Sequence, residues 1–238
     1  MIGVKDDKGY NQGYKDSAAM EVRTKRRVDY FLSLMDRSEV KDVLEIGCGR
    51  GEVSNYIASN SKNNVLGTDI CLPFINEAKS RYSLPNLQFE VLDFNSPDSI
   101  NEKQFDYIIG NGILHHLYYT IDDALVNLYK LLKPGGKIIF LEPNLLNPYC
   151  FLIFDTIPLF RNMAKLEPTE KAFTKNFIIE KLNKHQYVDI DVRYKDFLLP
   201  IVPKLLIKPV IVIGDFLEKV PGLRIVTQSL FISAAKKN

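Results

Sequence analysis

Asp42-Val43-Leu44-Glu45-Ile46-Gly47-Cys48-Gly49-Arg50-Gly51 decides the fold. An apolar run stops abruptly in three glycines spaced two apart and then enters Glu52 to Asn60, a segment compatible with a helix. The order is strand, tight loop, helix. Val43, Leu44 and Ile46 suit a strand buried in a parallel sheet. Glycines let the backbone take positive φ and approach a ligand that a Cβ would push away, so the loop reads as a ligand shelf at a helix N-terminus.

The spacing selects among ligands. A dinucleotide loop, G-x-G-x-x-G, would need a third glycine at position 52, which is Glu52. A phosphate-cradling loop fails more completely, because no Gly-Lys-Ser/Thr follows. What remains is E-x-G-x-G-x-G, and here the chain resembles the class I S-adenosylmethionine-dependent methyltransferases. The chemistry agrees: that cofactor has no phosphate and carries an ammonium and a sulfonium, so a carboxylate near the loop attracts it. The resemblance implies an α/β fold, a doubly wound, mostly parallel seven-stranded sheet with an antiparallel last strand. It also implies cofactor contacts from Glu45, Gly47, Cys48, Gly49 and Gly51, with Glu45 and Asp69 facing one crevice.

Outward from the loop, Asn64 to Ile70 reads as a second strand closing on Asp69, eighteen residues beyond Gly51. An acid there can accept both hydroxyls of a ribose, as Asp69 is expected to do for the cofactor, with the adjoining Ile70 also in contact with it. The same acid would also serve a nicotinamide enzyme, or cap the next helix. Leu87 to Phe94 is a third strand. The resemblance implies that Asp93 accepts from the adenine amino group and that Phe94 flanks the ring; a turn cap is the alternative for Asp93. Phe105 to Ile109 is a central strand opening at Gly110-Asn111-Gly112, and in this family that tip lies beside the sulfonium, which places Asn111 and Gly112 at the cofactor.

Two of the three histidines, His115 and His116, follow at once. A neutral imidazole can take a proton from a hydroxyl as it attacks a methyl group, and some natural-product O-methyltransferases of this family carry a similar Leu-His-His pair in that role. The competing role is to hold the loop by hydrogen bonds. Ile121 to Leu132 reads as a helix stopped by Lys133-Pro134-Gly135-Gly136, a turn commonplace in this family before the fifth strand, Lys137 to Asn144. Glu142 and Asn144 are expected at the cleft, in reach of substrate.

Ser17 to Asp36 suits an amphipathic helix. Its Arg23, Lys25, Arg26 and Arg27 read as a solvated face, with Arg23 the exception that could meet the cofactor. Residues 1–37 are expected to form a lid and helix, with Tyr14 over the cofactor as in similar enzymes. Two stretches depart from the common core: 145–174, including Tyr149 as a substrate candidate, and 198–223. Both are rich in large apolar groups and interrupted by prolines, so neither is expected to span a bilayer. They read as a greasy cap, a dimer contact or a peripheral membrane contact, and each reading implies an acceptor with an apolar portion. Lys175 to Gln186 should be a helix, and Tyr187 to Phe197 with Ile225 to Ala235 a closing hairpin.

The 238 residues suffice for one domain, 1–238, burying about 70% of the unfolded surface. Net charge is +2, which provides no general attraction for nucleic acid, and no base-flipping motif follows the fourth strand. Lys204 onward carries six basic and two acidic residues, so the tail is +4 and the remainder −2. Three scattered cysteines indicate neither a disulfide framework nor a metal site. With no apolar leader near Met1, a cytoplasmic protein is expected, monomer or homodimer. The function expected is methyl transfer from S-adenosylmethionine to a small or lipophilic acceptor, with O-methylation favoured by the histidines. The rivals are a nicotinamide-dependent oxidoreductase and a non-catalytic partner subunit that binds the cofactor.

Overall fold

The computed structural model describes residues 17–93, 103–155, 158–164, 166–167 and 169–238. Tyr14 and Phe94 lie outside them.

Ser17 opens the chain's first helix, α1 (Ala18–Leu34), by accepting a hydrogen bond from the Met20 N–H. Val28, Phe31 and Leu32 recur at helical spacing and are buried, each contributing about 1.5–3 kcal/mol of apolar burial. There follow β1 (Asp42–Ile46), α2 (Glu52–Asn60), β2 (Asn64–Asp69), α3 (Leu72–Arg81), β3 (Leu87–Val91) and β4 (Phe105–Asn111). A 3-10 segment (Leu114–Thr120) leads to α4 (Ile121–Leu131) and β5 (Leu132–Pro143). The rest is α5 (Pro148–Asp155), α6 (Pro158–Met163), α7 (Lys175–Lys184), β6 (Val188–Lys195), α8 (Ile207–Leu217) and β7 (Ser229–Ala235).

The strands form one sheet in the order β3-β2-β1-β4-β5-β7-β6. The first five are parallel; β7 pairs antiparallel with both β5 and β6. The expected seven-stranded, mostly parallel sheet is therefore present. Its order reverses between β1 and β4, and in such sheets the crevice at the carboxyl ends of the strands flanking the reversal is where ligands bind. One face is covered by α1, α2 and α3, where Phe31, Ile57 and Ile75 pack on Val43 and Ile109. The other is covered by α4 and α7, where Leu125, Leu128 and Ile178 pack on Leu44, Ile108 and Ile138.

The Lys133–Gly136 turn differs from its expected role. The helix ends at Leu131, and Leu132 is already extended and paired with Phe105. Pro134 disfavours a helical residue before it, so the chain leaves α4 directly into β5. Gly135 takes φ +71° inside a register shift of that strand, and Gly136 packs so closely on the carbonyls of Lys133, Phe105 and Asp106 that a Cβ would sit about 3 Å from all three. At the other end, Ile225 lies in a 3-10 turn (Arg224–Val226), and β7 begins only at Ser229.

The two insertions do not pack into a single cap. Cys150, Phe154 and Ala172 form one small cluster with Tyr149 and Leu166. Leu198 and Ile207 form another with Ala18, Ala19 and Val22 of α1. Two buried amides instead tie the end of β5 and the start of the first insertion to the turn before β7: Asn144 donates to the carbonyls of Ile225 (2.9 Å) and Thr227 (2.7 Å), and Asn147 donates to that of Val226 (2.7 Å).

Candidate active site

The glycine loop shows why each glycine is there. Gly47, Gly49 and Gly51 have φ of +64°, +52° and +84°. A Cβ on Gly47 would lie 2.6 Å from Ile113, and one on Gly51 2.6 Å from Phe89, whereas one on Gly49 would meet nothing within 4 Å. Two glycines thus seat the loop against the fold, and the third faces open space. Cys48 is buried, its N–H bound to the Thr68 carbonyl at 2.8 Å, and burial pushes its thiol far up. Its side chain is packing rather than a surface for ligand.

Asp69 closes β2 against this shelf. Its carboxylate accepts from the N–H of Gly49 and of Cys71, both at 2.9 Å, while burial raises its pKa. Ile70 follows, half-buried. The Leu92 N–H donates to the Asp69 carbonyl at 3.0 Å, which brings Asp93 to the same sheet edge.

Glu45 does not share that surface. It is 2% exposed and turned inward, accepting from the Ser54 hydroxyl of α2. Space for the pair comes from Gly67, Glu45's neighbour on β2, where a Cβ would strike Ser54 Oγ. Burial, then the charges of Glu52 and Asp69, hold the Glu45 carboxyl up at about 8.

At the tip of β4, the Gly112 N–H donates to Leu141 and Gly112 takes φ +74°. Asn111 accepts from Arg27 at 2.8 Å. This departs from the expected solvated arginine face: Arg23 is buried and the Arg27 side chain is only 11% exposed, at 3.5 and 3.4 Å from Asp196, while Arg26 pairs with Asp215. Burial lowers both guanidinium pKa values, that of Arg23 to about 9. The Nε atoms of both are buried without a hydrogen-bond partner. The two largely covered cations share one carboxylate and otherwise donate to neutral oxygens of Gln228, Ser229 and Asn111, so the cluster has more cation than anion. Tyr149 is half-buried, and burial raises its hydroxyl's pKa despite the nearby Arg23 charge.

Glu142 and Asn144, expected at the cleft, are instead fully buried. Asn144 is consumed by its bonds to the turn before β7. Glu142 accepts from the backbone N–H of Ile113 (3.0 Å), Leu114 (2.8 Å) and His115 (3.2 Å), and sits 2.9 Å from His115 Nδ1. With three N–H groups already donating to its oxygens, it accepts a fourth hydrogen from Nδ1, which leaves Nε2 as the basic nitrogen of His115. Nε2 lies 3.7 Å from Glu170, and His116 Nδ1 lies 3.5 Å from the same carboxyl. Burial raises the Glu170 carboxyl and, with His115 nearby, drives His116 well below its usual value, so His116 is neutral at physiological pH. The ligand atoms of His115, His116 and Glu170 lie within 4.8 Å of one another, close enough to hold one divalent ion. Glu170 and Arg27 escaped the sequence reading. Nothing near Glu170 marks it, and Arg27 looked like its solvated neighbours.

Comparison with known proteins places this geometry. Residues 44–138, from the glycine strand to β5, match a family model described as a methyltransferase domain. Over those residues the chain is similar to methyltransferase domains. A ubiquinone/menaquinone biosynthesis C-methyltransferase of Desulfotalea psychrophila is 25% identical to this chain over 178 residues, 66% of the chain and 69% of that protein. A fatty-acid O-methyltransferase of Mycolicibacterium smegmatis is 32% identical over 108 residues, 44% and 38% of the two chains. The domain also matches polyketide synthases, of which the chain spans only 6%, 4% and 5% of the length in three cases. A methyltransferase structure from Archaeoglobus fulgidus superposes with TM-score 0.64 at 19% identity, covering 92% of this chain and 95% of that one. The fold is the class I, Rossmann-like methyltransferase fold.

Proposed function

We propose that this methyltransferase domain binds S-adenosylmethionine and transfers its methyl group to a small or lipophilic acceptor, with His115 as general base and a hydroxyl as the favoured nucleophile. The observation that carries the reading is the open position over Gly49 beside Asp69, one strand away from the β4 tip that bears Asn111 and leads into His115. Bound there, the cofactor supplies an electrophilic methyl group on sulfonium. Asp69 would hold the ribose hydroxyls, Asp93 the adenine amino group, and the loop amides the backbone approach. Arg27 and Arg23 supply the missing counter-charge for the cofactor's carboxylate.

The residues have separate tasks on the acceptor side. Glu142 fixes the His115 ring to the β4 tip and assigns its tautomer, so that Nε2 takes the acceptor's proton as the oxygen attacks. The imidazolium so formed would be balanced by the Glu142 carboxylate at Nδ1, with the Glu170 carboxyl 3.7 Å from Nε2. Holding nucleophile and methyl in line is the larger effect, since effective molarity can supply about 7–11 kcal/mol and a positioned base about 10²–10⁴-fold. The related C- and O-methyltransferases leave the acceptor atom open; the base is what favours oxygen.

A nicotinamide enzyme is disfavoured by Glu52, which stands in the first turn of α2 where a pyrophosphate would sit. Calorimetric titration with S-adenosylhomocysteine and with NADH tests the reading. Binding of the first and not the second is expected, with Asp69→Ala weakening it by tenfold or more; binding of NADH alone, or no effect of Asp69→Ala, overturns it.

A further inference from the structure

The helix α8 is apolar on both sides. Its inner side, Ile207, Val210 and Ile211, packs on α1, and Gly214 lets Phe197 approach so closely that a Cβ would lie 3.0 Å from it. Its outer side presents Val212, Ile213 and Phe216, 68%, 58% and 66% exposed, in line with Leu205 of the preceding turn at 88%. Leu205 of the preceding turn and Pro209, Val212 and Phe216 of α8 stand three or four apart, with Ile213 beside them, so they form one stripe. The eleven residues of α8 reach about 16 Å, and among the described residues no helix is long and apolar enough to cross a membrane.

The charges around this stripe are sorted. Both acidic residues of the segment are already paired: Glu218, 10% exposed, with Lys195 at 2.7 Å, and Asp215, 47% exposed, with Arg26 at 2.5 Å. Lys204, Lys208, Lys219 and Arg224 are exposed, two at each end of the helix, and make no salt bridge among the described residues. What faces outward is an apolar stripe fringed by four positive charges.

We propose that this outer face of α8 docks, parallel to the surface, on an anionic lipid membrane. An apolar stripe lying in the headgroup boundary with lysine and arginine at its margins is the arrangement that binds such surfaces. A second copy of the chain is the poorer partner, because a two-fold contact on this face would set its basic fringe against itself. The proposal is independent of the chemistry at His115.

Sedimentation of the full chain with phosphatidylcholine vesicles, with and without phosphatidylglycerol, tests it. Co-sedimentation with the anionic vesicles is expected at low salt, at least about tenfold weaker with the neutral ones and weakened by added salt. Lys204→Glu with Lys208→Glu should lower the partition by about tenfold or more, at roughly fivefold per charge. Val212→Ser with Phe216→Ser should abolish it while circular dichroism and S-adenosylhomocysteine affinity stay unchanged. No sedimentation with anionic vesicles, partition that ignores lipid charge, or a dimer in sedimentation equilibrium that the Val212 and Phe216 changes dissociate, would overturn the assignment.

Discussion

His115 Nδ1 stands 2.9 Å from the carboxylate of Glu142, and the same carboxylate accepts the backbone N–H groups of Ile113, Leu114 and His115. One buried acid therefore sets both the loop after β4 and the tautomer of its histidine. Glu142→Gln presents an amide where four donors converge. It should cost about 2–4 kcal/mol of stability, read as a lowered denaturant midpoint, in addition to lost turnover. His115→Gln should fold, bind S-adenosylhomocysteine normally and lose about 10²–10⁴ in kcat. A His115→Gln enzyme at full rate would remove the imidazole from the chemistry.

The glycines should separate into two kinds. Gly51→Ala drives a Cβ into the Phe89 ring at a backbone φ of +84°, so expression as folded protein should fail or Tm should fall steeply. Gly49→Ala meets no atom within 4 Å and carries only the left-handed strain of about 1–2 kcal/mol. It should fold and yet bind cofactor at least tenfold more weakly by calorimetry. Equal binding would show that the open position is not the shelf.

Glu45 makes stability depend on pH with a defined sign. Its folded pKa, about 8, lies above the ordinary 4.5, so the native state holds a proton that the unfolded chain releases. The contribution is complete below the unfolded value and is lost as pH climbs toward 8, by at most about 5 kcal/mol. Thermal melts from pH 5 to 8.5 should show a falling Tm that flattens in Glu45→Gln. An unchanged slope in the variant would assign the loss elsewhere.

The buried arginine pair predicts a carboxylate-specific defect. Arg27→Met should weaken S-adenosylhomocysteine by tenfold or more and leave 5′-methylthioadenosine, which lacks the amino-acid arm, nearly untouched. Equal losses for both ligands would mean that Arg27 only supports Asn111.

Whether His115, His116 and Glu170 serve as a base and its surroundings or as a metal centre is tested by a simple removal. Dialysis against a chelator should leave turnover unchanged. A loss restored by zinc or another divalent ion would make these three side chains a metal centre instead.

Much of the fold was legible because it rests on local rules. Buried β-branched runs, glycines forced to positive φ, and acids at strand ends announce a parallel sheet and its ligand edge from Asp42 to Asp93, and the expected pairing of the last two strands is present. Polar residues in the second half were misplaced for one reason. Glu142 and Asn144 stand at the end of a strand, where sequence position predicts a cleft, but a side chain's direction depends on what packs above it, and here the insertions and the β4 loop do. Arg27 looks like Lys25 and Arg26 until Asp196 and Asn111, from distant parts of the chain, meet it.

By itself the sequence determined the strand-loop-helix at Gly47 to Gly51, the sheet class and the chemistry the loop rejects, since these follow from backbone sterics and residues near in the chain. Only the tertiary structure decided that Glu45 turns inward, that Glu142 holds His115, that Glu170 joins the histidines, and that α8 leaves an apolar face bare. Each of those depends on which groups lose water together, and burial is a property of the packed molecule that no stretch of residues carries alone.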